Sequence, residues 1–283
     1  MNQLKSVLLL GILTAFLVGL GYVLAPQSMP IFLVIALLMN LGSWFFSDKL
    51  VLAMSHAQPV PDGQLPQLRR IVEQIAANAN IPVPRLYMIA SPAPNAFATG
   101  RNPEHGVVCV TQGILQLLDE RELKGVLAHE MSHIRNRDVL VASIAAAIAS
   151  AITYLAHFGF LFGGRDDRRD NGGTALLMAI LAPLGATLVQ LGISRQREFL
   201  ADETGARLCN DPLALASALQ KLQLASKRVP LQTAPATASL FIVNPFGGMK
   251  SFMNLFSTHP PLEERIARLQ QMAAELRGVV PQR

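Results

Sequence analysis

Only two cysteines occur in 283 residues, Cys109 and Cys209, each isolated and without C-x-x-C spacing. That excludes a disulfide framework and a thiolate metal cluster, and leaves reduced cytosolic thiols as the expectation. Charge is scarce as well. Asp, Glu, Lys and Arg make up 15% of the chain against 51% hydrophobic residues, and mean hydropathy is +0.35. A soluble domain of this length carries about a quarter charged residues, so the composition points to a membrane protein. The net charge of +5 is modest and no basic run interleaves with aromatics, so nucleic-acid binding is not expected.

What the chain does have is long apolar runs. Leu4 to Ala25 is almost uninterruptedly apolar after Lys5, and Met29 to Phe46 repeats the pattern after a short Pro26-Gln27-Ser28 break. Each is near the roughly 20 residues that cross a bilayer core. A cleavable signal peptide competes for the first run, but its length and the second run close behind it favour a hairpin of two spanning helices, residues 1–47. Trp44 suits the interface. Val139 to Phe162 and Thr174 to Ile193 are two further apolar segments, joined by a polar turn from Gly163 to Gly173, and they predict a second hairpin over 139–193. Four transmembrane helices place 21 of the 24 Lys and Arg on one side, the cytoplasmic side by the positive-inside rule.

The remaining segments, 48–138 and 194–283, have ordinary soluble character. Leu65, Leu68, Ile71, Val72, Ile75 and Ala76 recur at helical spacing. Arg85 to Ala90, Asn95 to Gly100 and Gly106 to Thr111 read as short strands, predicting a mainly α fold with a small antiparallel β-sheet. Its edge offers pairing to an extended peptide, although a sheet that merely covers a core reads the same way. Ile114, Leu117 and Leu118, then Leu123, Val126 and Leu127, mark two helices, and Asp119 with Glu122 predicts a capping box between them.

The second of these helices carries His129-Glu130-Met131-Ser132-His133. Helical positions i and i+4 share a face about 5–6 Å apart, so both imidazoles reach one ion. Two neutral imidazoles suit Zn²⁺, while Glu130 projects about 100° away and reaches a zinc-activated water without ligating the metal. The pattern is that of metal-assisted peptide hydrolysis. The helix is expected to run on past Asp138 as the cytoplasmic root of the third span. Just after the fourth span, Glu198 and Asp202 share another helical face, and Glu198 is the expected third ligand. The bland alternative is a carboxylate paired with Arg195 or Arg197. Asp202 is expected behind the ligands, orienting a His or pairing with an Arg. His56, His105 and His157 lack ligand spacing.

His129-Glu130-x-x-His133 followed by Arg195-x-x-Glu198-Phe199-x-Ala201-Asp202 resembles the HtpX-type heat-shock membrane metalloproteases, relatives of the CaaX prenyl proteases. The similarity extends through Asn95-Ala96-Phe97-Ala98 and Thr258-His259-Pro260-Pro261 and covers most of the chain. It implies an integral membrane, zincin-like metalloprotease with one Zn²⁺ per subunit, held by His129, His133 and Glu198, with Glu130 as catalytic base. It also implies a stress-response role in the bacterial inner membrane, with misfolded or damaged membrane proteins as substrates and the lipid bilayer as partner. The His-Pro element lies near the active site in that family, which makes His259 a candidate donor to the developing oxyanion; the plain alternative is a helix entry.

Leu213 to Ala225 is helical in pattern, and a final helix runs through Leu262, Ile266, Leu269 and Met272. Between them Val229 to Phe256 carries Phe241, Phe246, Met249, Phe252, Met253 and Phe256. These suit a hydrophobic flap, although core packing is the commoner role. Two other functions compete: a non-catalytic zinc-stabilised scaffold or holdase, and a CaaX-type prenyl-protein protease.

Overall fold

In the computed structural model, residues 29–144, 195–229, 240–242 and 260–278 are described, with positions 10, 11, 14, 15, 18, 22 and 27. Most of the segment 4–25, residues 145–194 with most of the expected third span and all of the fourth, and most of 229–256 lie outside the described residues.

Helix α1 (Met29–Met54) contains the second apolar run. Its arms Leu33–Gly42 and Trp44–Met54 meet at 67°, around the Gly42-Ser43 step, a residue pair at which helices commonly kink. Among the described residues no single helix is long and apolar enough to cross a membrane; the two arms reach that length and apolarity only together. Asn40 Nδ2 donates to the Leu10 carbonyl at 3.2 Å and to Thr14 Oγ1 at 2.7 Å, so positions 10 and 14 lie beside α1.

The chain then forms β1 (Gln58–Pro59), α2 (Pro66–Ala79), β2 (Arg85–Ile89), β3 (Ala96–Thr99) and β4 (Val107–Thr111). The sheet order is β1-β2-β4-β3. It is mixed, which corrects the expected antiparallel sheet: β2 and β4 run parallel, while β1 and β3 pair antiparallel on either side. The reason lies in the connection. The chain leaves β2, crosses to the far edge as β3 and turns back through Asn102-Pro103 into β4, which slots between them and so repeats the direction of β2.

Short helix α3 (Gln112–Leu117) is capped by Thr111, whose Oγ1 accepts from Ile114 N–H at 3.2 Å. Helix α4 (Glu120–Arg135) opens on the expected capping box. Asp119 Oδ1 accepts from Glu122 N–H at 2.8 Å, and Glu122 Oε2 accepts from Asp119 N–H at 3.1 Å. Helices α5 (Arg195–Cys209), α6 (Pro212–Ser226) and α7 (Leu262–Leu276) complete the described fold.

One face of the sheet, with Leu86, Ala96, Ala98, Val108 and Val110, packs on α2 and α4 through Ile71, Val72, Ile75, Val126, Leu127 and Met131. The other face buries Phe97, Val107 and Cys109 against Val51 and Leu52 of α1 and against Phe241. Phe241 is fully buried, edge-to-face with Phe97 at 5.0 Å between ring centroids, so this member of the aromatic stretch packs in the core. Burial on both faces explains why Val107-Val108-Cys109-Val110 is a continuous apolar run.

Two further features position the helices that carry the metal-ligand candidates. Helix α4 ends at Arg135 and does not run on as one rod, contrary to expectation: Arg137 takes a left-handed φ of 59°, and a new helix spans 138–144. Helix α5 meanwhile crosses α4 at Gly205, where a Cβ would lie 2.8 Å from the His129 backbone nitrogen. Gly205→Ala must therefore push the two helices apart. We expect a loss of about 1–3 kcal/mol in stability, read as a lower unfolding midpoint in detergent, together with reduced bound metal.

Candidate metal centre

Helix α4 presents His129 and His133 one turn apart, and the face of α5 that contains Gly205 also carries Glu198 and Asp202, seven and three residues earlier. The close approach at Gly205 brings the two faces together. His129 Nε2 and His133 Nε2 lie 3.2 Å apart, and Glu198 oxygens lie 3.7 Å from the first and 3.5 Å from the second. An ion about 2.0–2.1 Å from each of three tetrahedral ligands needs them about 3.3 Å apart. The three donors fit. They are a metal-capable group of nitrogen and carboxylate ligands among the described residues.

Tautomers agree with that fit. His129 Nδ1 lies 2.9 Å from Asp202 Oδ1, and His133 Nδ1 lies 3.3 Å from Asp138 Oδ2. A carboxylate at each Nδ1 favours the proton there and leaves each Nε2 as a lone-pair donor. Two such lone pairs facing each other at 3.2 Å repel unless a cation or a proton sits between them.

The break after α4 is what brings Asp138 round. On a continuous helix i and i+5 diverge by about 140°, so Asp138 could not reach the His133 ring. The left-handed turn at Arg137 redirects the chain, and Arg197 Nη1 from α5 approaches Asp138 at 3.6 Å. Asp202 has a counterpart cation: Arg265 of α7, fully buried, donates to it from Nε at 2.8 Å and Nη2 at 2.7 Å. Arg265 Nη1 also lies 3.9 Å from Glu198 and 3.3 Å from the Ile242 carbonyl oxygen. Each histidine therefore has an aspartate behind it and each aspartate an arginine.

Burial shapes the protonation of this cluster before any metal enters. Burial, with Arg265 nearby, pushes His129 down to about 4. Burial works the same way on His133, but the carboxylates of Glu198 and Asp138 outweigh it and hold that ring up at about 9. Burial raises Glu130 to about 8, opposed by the His133 charge and reinforced by Glu198. Burial would also raise Asp202, yet the Arg265 guanidinium holds its carboxyl below the usual aspartate value. A dication held by His129, His133 and Glu198 would reverse much of this, disfavouring the His133 proton and favouring the Glu130 carboxylate. Glu130 itself is buried, and the backbone N–H of Ala98 on edge strand β3 donates to its carboxyl.

Residues 63–273 match the family described as Peptidase family M48. The chain belongs to peptidase family M48. It is a metalloprotease, and its relatives share nearly its whole length. A protease HtpX homolog of Syntrophobacter fumaroxidans is 51% identical over 281 residues, covering 96% of this chain and 99% of the relative. Another, of Pyrococcus furiosus, is 51% identical over 283 residues, covering 98% and 97%. One of Burkholderia thailandensis is 49% identical over 278 residues, covering 96% and 97%. The fold is similar to that in the crystal structure of S. mikatae Ste24p, with TM-score 0.50 at 19% identity over 95% of this chain and 65% of that one.

The structure brings together His129, Glu130, His133, Glu198 and Asp202. His259 lies outside the described residues. Arg197 forms its ion pair with Asp138, while Glu198 faces the histidines and Arg265. Sequence reasoning missed Arg265, Asp138 and Gly205. Arg265 did leave a signal, a charge set on the helical stripe of Leu262, Ile266 and Leu269 that faces the core. Asp138 left none, because its role depends on the left-handed turn before it.

This electrostatic balance has measurable consequences. Arg265→Met strands the Asp202 carboxylate in a buried site, and a stability loss of about 3–5 kcal/mol is expected; Arg265→Lys, lacking the planar fork, restores only part of it. In metal-free protein, raised Glu130 and His133 both contribute stability that is lost as pH rises through their folded values. His133 contributes fully below 6.5 and loses its contribution through about 9. The unfolding midpoint of chelator-treated protein should therefore fall between about pH 6.5 and 9, and metal should suppress the fall.

Proposed function

We propose that this chain is a zinc endopeptidase of the membrane, with His129, His133 and Glu198 holding one Zn²⁺ and Glu130 as general base. The observation that carries the reading is the separation of the three donors, which suits a tetrahedral ion with its fourth position open, the catalytic rather than the structural arrangement. When bound, Zn²⁺ supplies a Lewis acid that brings the pKa of a water to about 7 and polarises the scissile carbonyl.

The protein's own residues do the rest. Glu130, one position after the first ligand and off the ligand face, takes the water proton as attack begins and returns it to the leaving amine. Asp202 and Asp138 keep the two rings turned toward the ion, and Arg265 keeps Asp202 charged. His259 donates to the developing oxyanion. Edge strand β3 borders the site with its outward backbone already engaged, which does not support the substrate-pairing edge expected from the sequence. Its Ala98 end adjoins Glu130, and its Ala96 carbonyl accepts from Ile242 N–H at 3.1 Å.

The location belongs to the same proposal. We place the chain in the bacterial inner membrane as a multi-pass protein with its active site on the cytoplasmic side, cleaving misfolded or damaged membrane proteins. The Lys and Arg distribution and the exposed apolar arm of α1 support this. Purified Glu130→Gln protein should keep its zinc and lose at least about 100-fold in cleavage of casein or a membrane-protein substrate. Glu198→Ala should lose both. Full peptidase activity in the first variant would overturn the base assignment, and unchanged zinc content in the second would remove Glu198 from the ligands.

A further inference from the structure

The bend of α1 leaves a groove that none of the candidate metal ligands lines. Leu38, Leu41, Gly42, Phe45 and Phe46 form its apolar wall, and Asp48, Lys49, Arg85, Arg101 and His105 form its polar end, around a volume of about 560 Å³. Above it the exposed side chains of α1 are apolar, with Leu33, Val34, Leu37, Leu38 and Leu41 all open. Polar character begins abruptly at Ser47-Asp48-Lys49. The β3–β4 connection and the first residue of β2 bring Arg101, His105 and Arg85 to that same level.

The cations at this level are not equivalent. Arg85 donates to Asp48 at 3.0 Å, a pair that neutralises itself. Lys49 and Arg101 have no carboxylate partner among the described residues; they lie instead over aromatic rings, Lys49 Nζ 5.3 Å from the Phe46 centroid and the Arg101 guanidinium 5.6 Å from that of Phe45. Arg101 Nη2 is also 2.6 Å from His105 Nε2, whose Nδ1 faces Asn102 Oδ1 at 2.7 Å. That chain of contacts fixes the guanidinium without cancelling its charge. Two uncompensated cations thus close one end of a groove whose other wall is hydrocarbon.

We infer that this groove binds one anionic phospholipid, its phosphate between Lys49 and Arg101 and an acyl chain along Leu38, Leu41 and Phe45. Charge complementarity selects an anionic headgroup, and the apolar wall selects a lipid over a soluble phosphate. Lys49 and Arg101 thereby set the depth of the protein at the bilayer surface, and the loop carrying Arg101 leads directly from β3 to β4. The inference rests on the membrane location proposed above.

The test is native mass spectrometry of the purified full chain after incorporation into vesicles of phosphatidylglycerol and phosphatidylcholine. Wild type should retain phosphatidylglycerol about 25-fold over phosphatidylcholine, about fivefold for each basic side chain. Lys49→Gln with Arg101→Gln should reduce the preference to about twofold or less while zinc content and peptidase activity stay at wild-type levels. Equal retention of the two lipids, a preference that survives the double substitution, or displacement of the lipid by millimolar inorganic phosphate would each overturn the site. Recovery of the chain in the vesicle fraction is scored separately, so failure of the membrane reading is distinguishable from failure of the lipid site.

Discussion

A guanidinium with no exposure to water must be answered by negative charge, and here Arg265 is answered by Asp202 through two short parallel hydrogen bonds. That pair joins three helices at one point. Arg265 comes from α7, Asp202 from α5, and the other side of Asp202 reaches His129 on α4. Removing the pair would leave the two helices that carry the candidate ligands joined by apolar packing and by the longer Arg197–Asp138–His133 contacts. Buried ion pairs are weak evidence for stability in general, because desolvation offsets much of their attraction. This one is better understood as a positioning device, since it holds a carboxylate charged beside a candidate ligand histidine.

The same logic recurs on the second histidine with different parts. Asp138 and Arg197 stand behind His133 as Asp202 and Arg265 stand behind His129, but the contacts are longer, 3.3 and 3.6 Å. Asp138 reaches its ring only because α4 is interrupted. A helix running unbroken into the next apolar segment would have pointed it elsewhere. Residues 138–144, beyond the break, are bound to the sheet through the buried contact of Ser143 Oγ with Thr99 Oγ1 at 2.7 Å. Helix α4, the edge strand and the start of the next segment are therefore one packed unit.

Much of this was legible in the sequence, and for local reasons. The i, i+4 spacing of His129 and His133, the capping box at Asp119 and the carboxylate pair at 198 and 202 are statements about a single helix, which neighbouring residues decide. The sheet was legible as strands but not as a topology. Antiparallel pairing was expected from three short runs joined by turns; the parallel β2–β4 pair arises because β3 is inserted at the far edge, which no single strand records. The continuity expected between α4 and the next segment failed at one residue, Arg137, whose left-handed backbone leaves no signature in a residue type that ordinarily avoids it.

By itself the sequence determined the metal-capable residue types, their spacing on each helix, the carboxylate beside the first histidine and the apolar character that points to a membrane. These depend on helical periodicity and on composition, which act over a few residues. Only the tertiary structure decided that Glu198 meets both histidines, that Asp202 and Asp138 divide the two rings between them, and that a guanidinium 136 residues from His129 stands behind the first. The physical reason is the close approach at Gly205: how near two helices pass depends on the absence of a side chain on one and the backbone of the other, a property of the pair that neither segment carries alone.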